Sequence, residues 1–218
     1  MKTALIIGST GLIGSELLKL LLESPSYAKV IAFVKRDTGI IHPKLKQHII
    51  DFDKPQTYKE LVVGDDFFCT IGTTIKKAGS ENAFKKVDLE YPRQFASFAL
   101  QNKVNSFLIV TSLGADANSG NFYLKTKGEV QNFLKDCPFE SVAVLQPSLL
   151  LGNRTEFRLG EKVGAFFMKV FSFLFFGNLK KYRPITGKTV AKALYAIAQK
   201  NNKGFKIYKS DAIQEIGY

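Results

Sequence analysis

Along the chain, apolar runs of strand length alternate with longer segments in which apolar residues recur every three or four positions. Thr3–Ile7 is apolar without alternation, which predicts a strand covered on both faces. Leu12–Glu23 carries Leu17, Leu18, Leu21 and Leu22 on one side and stops at Ser24-Pro25, as a helix does. Further strands are predicted at Val30–Val34, Gln47–Ile50, Asp66–Thr70, Phe107–Thr111 and Ser141–Leu145. A long helical pattern runs from Glu81 to Asn102 with Phe95, Phe98 and Ala99 on one side; Pro92 inside it predicts a kink or a late start. Tyr123–Lys135 reads as a helix ended by Cys137-Pro138. After Pro147 the rhythm changes. Two helical stretches, Glu161–Phe176 and Lys188–Lys200, precede a short strand Phe205–Tyr208 and a final helix capped by Ser210.

The alternation predicts an α/β fold, a doubly wound parallel sheet with helices on both faces. With 218 residues and no repeat or linker, one domain is expected: a core over 1–147 and a small helical, substrate-side part over 148–218.

Composition narrows the classes. Hydrophobic residues at 45% and charged residues at 23% exclude wholesale disorder. Two cysteines, Cys69 and Cys137, exclude a disulfide framework, and His42 and His48 as the only histidines argue against a metal site. The net charge of +12 raises nucleic acid, an anionic membrane or a phosphorylated ligand as partners. The lysines are spread from Lys2 to Lys209 and form no long basic block, so a solvated basic surface is expected and nucleic-acid binding is not. The apolar run after Lys2 is too short for a signal-peptide core, and Val163 to Phe176 is interrupted by Gly164, Lys169 and Ser172. A soluble cytoplasmic protein, monomer or homodimer, with reduced thiols is expected.

Between the first strand and the first helix stands Gly8-Ser9-Thr10-Gly11-Leu12-Ile13-Gly14. This G-x-x-G-x-x-G spacing suits a tight turn, a close approach of backbone to a pyrophosphate, and close packing of helix on strand. The helix N-terminus adds free N–H groups and a positive dipole end. A Rossmann-type dinucleotide site is therefore predicted over Gly8 to Gly14, with strand before and helix after as that fingerprint requires. At the end of the second strand an NAD site carries an acidic residue and an NADP site a basic one. Here Lys35 and Arg36 come first, ahead of Asp37, and favour the 2′-phosphate of NADPH/NADP+; Ser9 adds a hydroxyl from the glycine loop.

Ser112 closes the fifth predicted strand, and Tyr123 and Lys127 follow on the next helix. Residues four apart share a helix face, so phenol and ammonium can serve one site. The ammonium lowers the phenol's pKa toward the range useful for proton transfer. Ser112 can hold a substrate oxygen while Tyr123 supplies a proton.

Together these residues resemble the short-chain dehydrogenase/reductase superfamily, and within it the atypical Tat-interacting-protein-like NADP-binding oxidoreductases. The resemblance spans nearly the whole chain. It rests on Gly8–Gly14, Lys35-Arg36, Asp51-Phe52-Asp53, Ile71-Gly72-Thr73-Thr74, Lys77-Ala78-Gly79, Val87-Asp88, Ser112 with Gly114-Ala115-Asp116, Tyr123 with Lys127-Gly128-Glu129-Val130, and Pro147. The resemblance implies that Asp51 and Phe52 line an adenine pocket and that Gly72 and Thr73 pass over a cofactor ribose. It implies that Pro147, Leu149 and Leu150 border the nicotinamide and that Lys127 also holds the nicotinamide ribose. Two departures stand out. Val87-Asp88 occupies the register where many relatives carry a relay Asn, so the relay is expected to differ. Only residues 148–218 follow Pro147, so a substrate site that is small, partly open or completed by another subunit is expected. The expected function is NADPH-dependent reduction of a small or lipophilic carbonyl compound. An NADP(H)-binding sensor with little turnover is the alternative, and a nucleotide-sugar epimerase or dehydratase a third reading.

Phe166, Phe167, Phe171, Phe173, Phe175 and Phe176 crowd one helix-length stretch. A helix buried against the sheet accounts for them, as do an apolar substrate channel, a subunit contact or a peripheral membrane contact.

Arg36→Ala is expected to weaken NADPH binding much more than NADH binding. Equal losses for the two cofactors, measured by fluorescence titration, would remove Arg36 from the 2′-phosphate.

Overall fold

The structure is a computed structural model that describes residues 1–151, 182–200 and 202–218. The Phe-rich stretch and the predicted helix Glu161–Phe176 lie outside the described residues.

The strands are β1 (Lys2–Ile7), β2 (Tyr27–Val34), β3 (Leu45–Ile49), β4 (Asp66–Cys69), β5 (Ser106–Val110), β6 (Ser141–Gln146), the two-residue β7 (Leu150–Leu151) and β8 (Ile185–Thr186), and β9 (Gly204–Lys209). The helices are α1 (Gly14–Glu23), the short α2 (Ile75–Ala78) and α3 (Glu81–Lys85), α4 (Tyr91–Gln101), α5 (Phe122–Lys135), α6 (Gly187–Gln199) and α7 (Ser210–Gly217). Seven strands form one sheet in the order β3-β2-β1-β4-β5-β6-β9, and every neighbouring pair is parallel. The chain runs outward from β1 to β3, then crosses back to β4 beside β1. That reversal makes β1/β4 the topological switch point, where such sheets bind ligands beyond the carboxyl ends of their strands.

The central strands are apolar on both sides because both faces are covered. On one face Ala4, Ile6 and Phe68 meet Leu17, Leu18 and Leu21 of α1 and Val190, Leu194 and Ile197 of α6. On the other, Leu5, Phe33, Phe67 and Phe107 meet Phe95 of α4 and Val130 and Leu134 of α5. Phe67 and Phe107 are cross-strand partners whose rings stack at 4.9 Å. Each such side chain taken from water contributes ~1.5–3 kcal/mol.

Several boundaries depart from the sequence pattern. β2 begins at Tyr27 rather than Val30, because the buried Tyr27 hydroxyl donates to Asp66 Oδ2 at 2.7 Å and ties the strand's start to β4. The Glu81–Asn102 helix is broken in two by a π-helical turn, Lys86–Glu90. Pro92 has no N–H to give the Asp88 carbonyl, and the chain widens just ahead of it, with Tyr91 N–H bonding Lys86 O. Ser210 is not the cap of the last helix. Lys209 takes that position, and the Ser210 hydroxyl turns to Ser148 Oγ at 3.0 Å.

The turn after β1 is the tightest joint. Gly8 has φ +81°, and its carbonyl accepts the Gly11 N–H at 3.0 Å. A Cβ on Gly14 would lie 2.1 Å from Gly8 O and 2.6 Å from Thr70 Oγ1. Gly14→Ala is therefore expected to cost ~2 kcal/mol or more, seen as a fall in Tm of several degrees. Gly120→Ala, where a Cβ meets nothing within 4 Å, is the control and should leave Tm nearly unchanged.

Candidate functional site

Because the sheet is parallel, the segments leaving the carboxyl ends of its strands gather along one edge. The glycine loop leaves β1, Lys35-Arg36 leaves β2, Asp51-Phe52 follows β3, Gly72-Thr73 follows β4, Ser112 follows β5 and Pro147 follows β6.

The glycine loop carries an unmet polar group. Ser9 is 2% exposed and its Oγ has no hydrogen-bond partner. Buried hydroxyls are rarely left so, and a ligand oxygen is the kind of partner this one lacks. Just beyond it, α1 starts at Ile13 without any side-chain cap. Its Ser15 N–H already bonds Gly11 O at 2.9 Å, and its positive dipole end favours an anion there. Thr10 is exposed and Gly11 and Leu12 are half-buried, so the loop presents its backbone outward while Ile13 anchors it in the core. These features fit the pyrophosphate of a dinucleotide.

A second hollow, of about 400 Å³, is lined by Lys35, Ile49, Ile50, Asp51, Phe52, Asp53 and Tyr91. Phe52 is buried as its floor against Tyr91, with ring centroids 5.1 Å apart. The Lys35 ammonium sits 5.7 Å and 5.9 Å from the Phe52 and Tyr91 ring centroids. Asp53 accepts from the Tyr91 hydroxyl at 2.7 Å and from Lys86 at 2.8 Å. Those two bonds hold its carboxyl below the usual carboxylate range. The structure thus brings Lys35, Asp51 and Phe52 together, while the exposed Arg36 is not part of the hollow's lining. Tyr91, Asp53 and Lys86 were missed by sequence reasoning; their only signal was the Asp51-Phe52-Asp53 motif.

The third group is buried. Asn121 caps α5 by accepting the Leu124 N–H at 3.1 Å, which sets Tyr123 and Lys127 on successive turns. A Cβ on Gly128 would lie 2.1 Å from Ala117 N, and Asp116 N–H bonds Leu124 O, so the loop after Ser112 lies directly on this helix. Tyr123 is half-buried against Phe84, centroids 5.6 Å apart. Lys127 is 6% exposed and its Nζ lies 2.7 Å from Asp88 Oδ1, a close ion pair whose angles fall short of hydrogen-bond geometry. Asp88 Oδ2 accepts the Thr73 N–H at 2.9 Å. Burial pushes the Lys127 ammonium's pKa down, but the Asp88 carboxylate outweighs it and holds it above its ordinary value. Ser112 is half-buried, and its hydroxyl makes a long contact of 3.5 Å to Leu113 O. Leu113 N–H bonds Pro147 O at 3.0 Å, joining the β5 and β6 ends. Leu149 is exposed, and Leu150 pairs with Ile185 in the small β7–β8 ladder. Among the described residues there is no cluster of side chains that could hold a metal ion. No helix among them is long and apolar enough to cross a membrane.

No protein-family model matches the chain. The rat protein HTATIP2 is 34% identical over 164 residues, covering 73% of this chain and 67% of the relative. The protein FMP52, mitochondrial, of Debaryomyces hansenii is 32% identical over 207 residues, covering 90% and 87%. Among solved structures, the Bordetella bronchiseptica enzyme WbmH, in complex with NAD+, is similar at a TM-score of 0.71 with 17% identity, covering 100% of this chain and 79% of WbmH. At that identity the likeness shows the fold alone.

Cys69 ends β4 fully buried, and burial pushes its thiol up to about 12. In iodoacetamide labelling of the native protein at pH 8, the half-buried Cys137 should react and Cys69 should stay unmodified until denaturant is added. Equal labelling of both in the native state would contradict the packing of β4 beneath the site.

Proposed function

The chain belongs to the HTATIP2/FMP52 family of atypical short-chain dehydrogenases/reductases, and from that premise we propose that it is an NADPH-dependent oxidoreductase acting on a small or lipophilic carbonyl substrate, with Tyr123 as proton donor. The observation that carries the proposal is the buried Lys127, one helical turn after Tyr123 and beneath the Gly72–Thr73 loop, on the strand-end edge that also holds the glycine loop. A buried ammonium is costly, and a structural helix face does not need one.

In this reading the backbone of Gly8–Gly14, with Ser9 Oγ, holds the pyrophosphate. Lys35 and Arg36 hold the 2′-phosphate, and the Asp51–Phe52 hollow takes the adenine. Gly72 and Thr73 cover a ribose, and Pro147, Leu149 and Leu150 border the nicotinamide. When bound, NADPH supplies two electrons to the carbonyl carbon as a hydride. Ser112 orients the carbonyl oxygen by a hydrogen bond, and Tyr123 gives its hydroxyl proton to that oxygen. Lys127 binds the nicotinamide ribose and keeps its positive charge throughout. The reading accommodates a cytoplasmic or a mitochondrial location, the latter being the one the Debaryomyces relative is named for.

An NADPH-oxidation screen over aldehydes, ketones, quinones and steroids tests the proposal. Tyr123→Phe should keep NADPH affinity within about twofold and lose ~10²-fold or more in turnover. Tight NADPH binding without turnover of any compound by the unmodified protein would favour the sensor instead.

A further inference from the structure

Asp88 stands where three elements meet. It lies on the π-helical turn, one oxygen against Lys127 of α5 and the other on the backbone of the β4 loop. It is 1% exposed, and a Cβ placed on Gly72 would lie 3.4 Å from its Oδ1 and 3.9 Å from Lys127 Nζ. The ion pair therefore sits directly under the exposed loop that borders the proposed site. Nothing about packing alone demands it, since an apolar pair of similar size would avoid the desolvation of two charges.

The consequence concerns Tyr123. An unopposed ammonium beside a phenol favours the phenolate and drives the hydroxyl proton off. A carboxylate bound to that ammonium cancels much of the field. We propose that Asp88 is a positioning residue: it holds Lys127 under the Gly72–Thr73 loop as half of a nearly neutral pair. The ammonium then draws the Tyr123 phenol's titration down less than an unopposed cation would, which favours the protonated donor that carbonyl reduction needs. The proposal rests on the reductase reading for its consequence, although the pairing itself does not.

Other charges near the pair leave this balance intact. The Cys69 thiol of β4 faces the pair and, pushed up to about 12 by burial, is neutral in the working range. Phe84 of α3 faces Tyr123 with an uncharged ring. Between α3 and α5 the remaining ion pair among the described residues is Lys85–Glu129 at 3.6 Å, partly open to solvent and itself paired.

The test follows the Tyr123 phenol directly in the full chain labelled with tyrosine carrying ¹³C at Cζ, whose shift reports phenolate formation. The Tyr123 signal is assigned by its loss in Tyr123→Phe. In Asp88→Asn, Tyr123 should titrate about one pH unit lower than in the unmodified protein. Titration unchanged within about 0.3 unit, or shifted upward, overturns the proposal. Should that variant fail to fold, Asp88→Asn/Lys127→Met removes both charges together, and Tyr123 should stay within about half a unit of the unmodified protein. A rise of about one unit or more in the double variant would mean that Lys127 acts as an unopposed cation, and would equally overturn the proposal. These titrations need no substrate. A failed carbonyl screen would thus remove the reductase reading while the titration still decides the role of Asp88.

Discussion

A buried ammonium must be paired, and the site is arranged around that requirement. Lys127 lies inside the protein because α5 packs its inner face on the sheet, with Val130 and Leu134 in the same core. Its charge is tolerable there because Asp88 is buried beside it. Asp88 stands on the π turn just before Pro92 and is itself buried. The other oxygen of the carboxylate then fixes the Thr73 N–H, so the loop leaving β4 takes its path from the same pair. Helix, turn and loop are thus bound through the two oxygens of one carboxylate, at 2.7 Å and 2.9 Å.

The second constraint is the closeness of the β1 turn to β4. The Gly8 carbonyl, the Gly14 Cα and the Thr70 side chain share a space in which no Cβ fits, and Thr70 Oγ1 bonds Ile7 O at 2.9 Å. This contact draws the start of α1 over the switch point and leaves Ser9 Oγ buried without a partner. The glycine loop and the Lys127–Asp88 pair therefore stand on neighbouring strand ends, β1 and β4. The Lys35–Phe52–Tyr91 hollow lies further along the same edge, after β2 and β3. Such a linear order of hollow, glycine loop and buried ion pair suits an extended ligand lying across the strand ends.

Much of this was legible in the residue pattern. Thr3–Ile7 reads as a doubly covered strand because no polar residue interrupts it, and the structure buries Ala4 through Ile7 completely. The glycine spacing, the Tyr123–Lys127 spacing and the basic pair after β2 are local signals, and the sheet places all three segments at its strand-end edge. What depended on distant partners was hidden. The early start of β2 at Tyr27 needs Asp66, far along the chain. Ser210 resembles a cap, yet its hydroxyl is claimed by Ser148. Pro92 announced a disturbance but not its form, and the π turn just before it carries the buried Asp88. Asp88 itself was visible only as an unexpected residue in a familiar register. Its pairing with Lys127 required the helix α5 to be in place.

The most direct measurement is a crystal structure of the full chain with NADP+. The pyrophosphate should lie on the Gly8–Gly14 backbone, with Ser9 Oγ as a donor. Lys127 Nζ should lie on the nicotinamide ribose while it remains in contact with Asp88. A dinucleotide bound away from the glycine loop would contradict the account, as would a Lys127 that abandons Asp88 to reach the ribose.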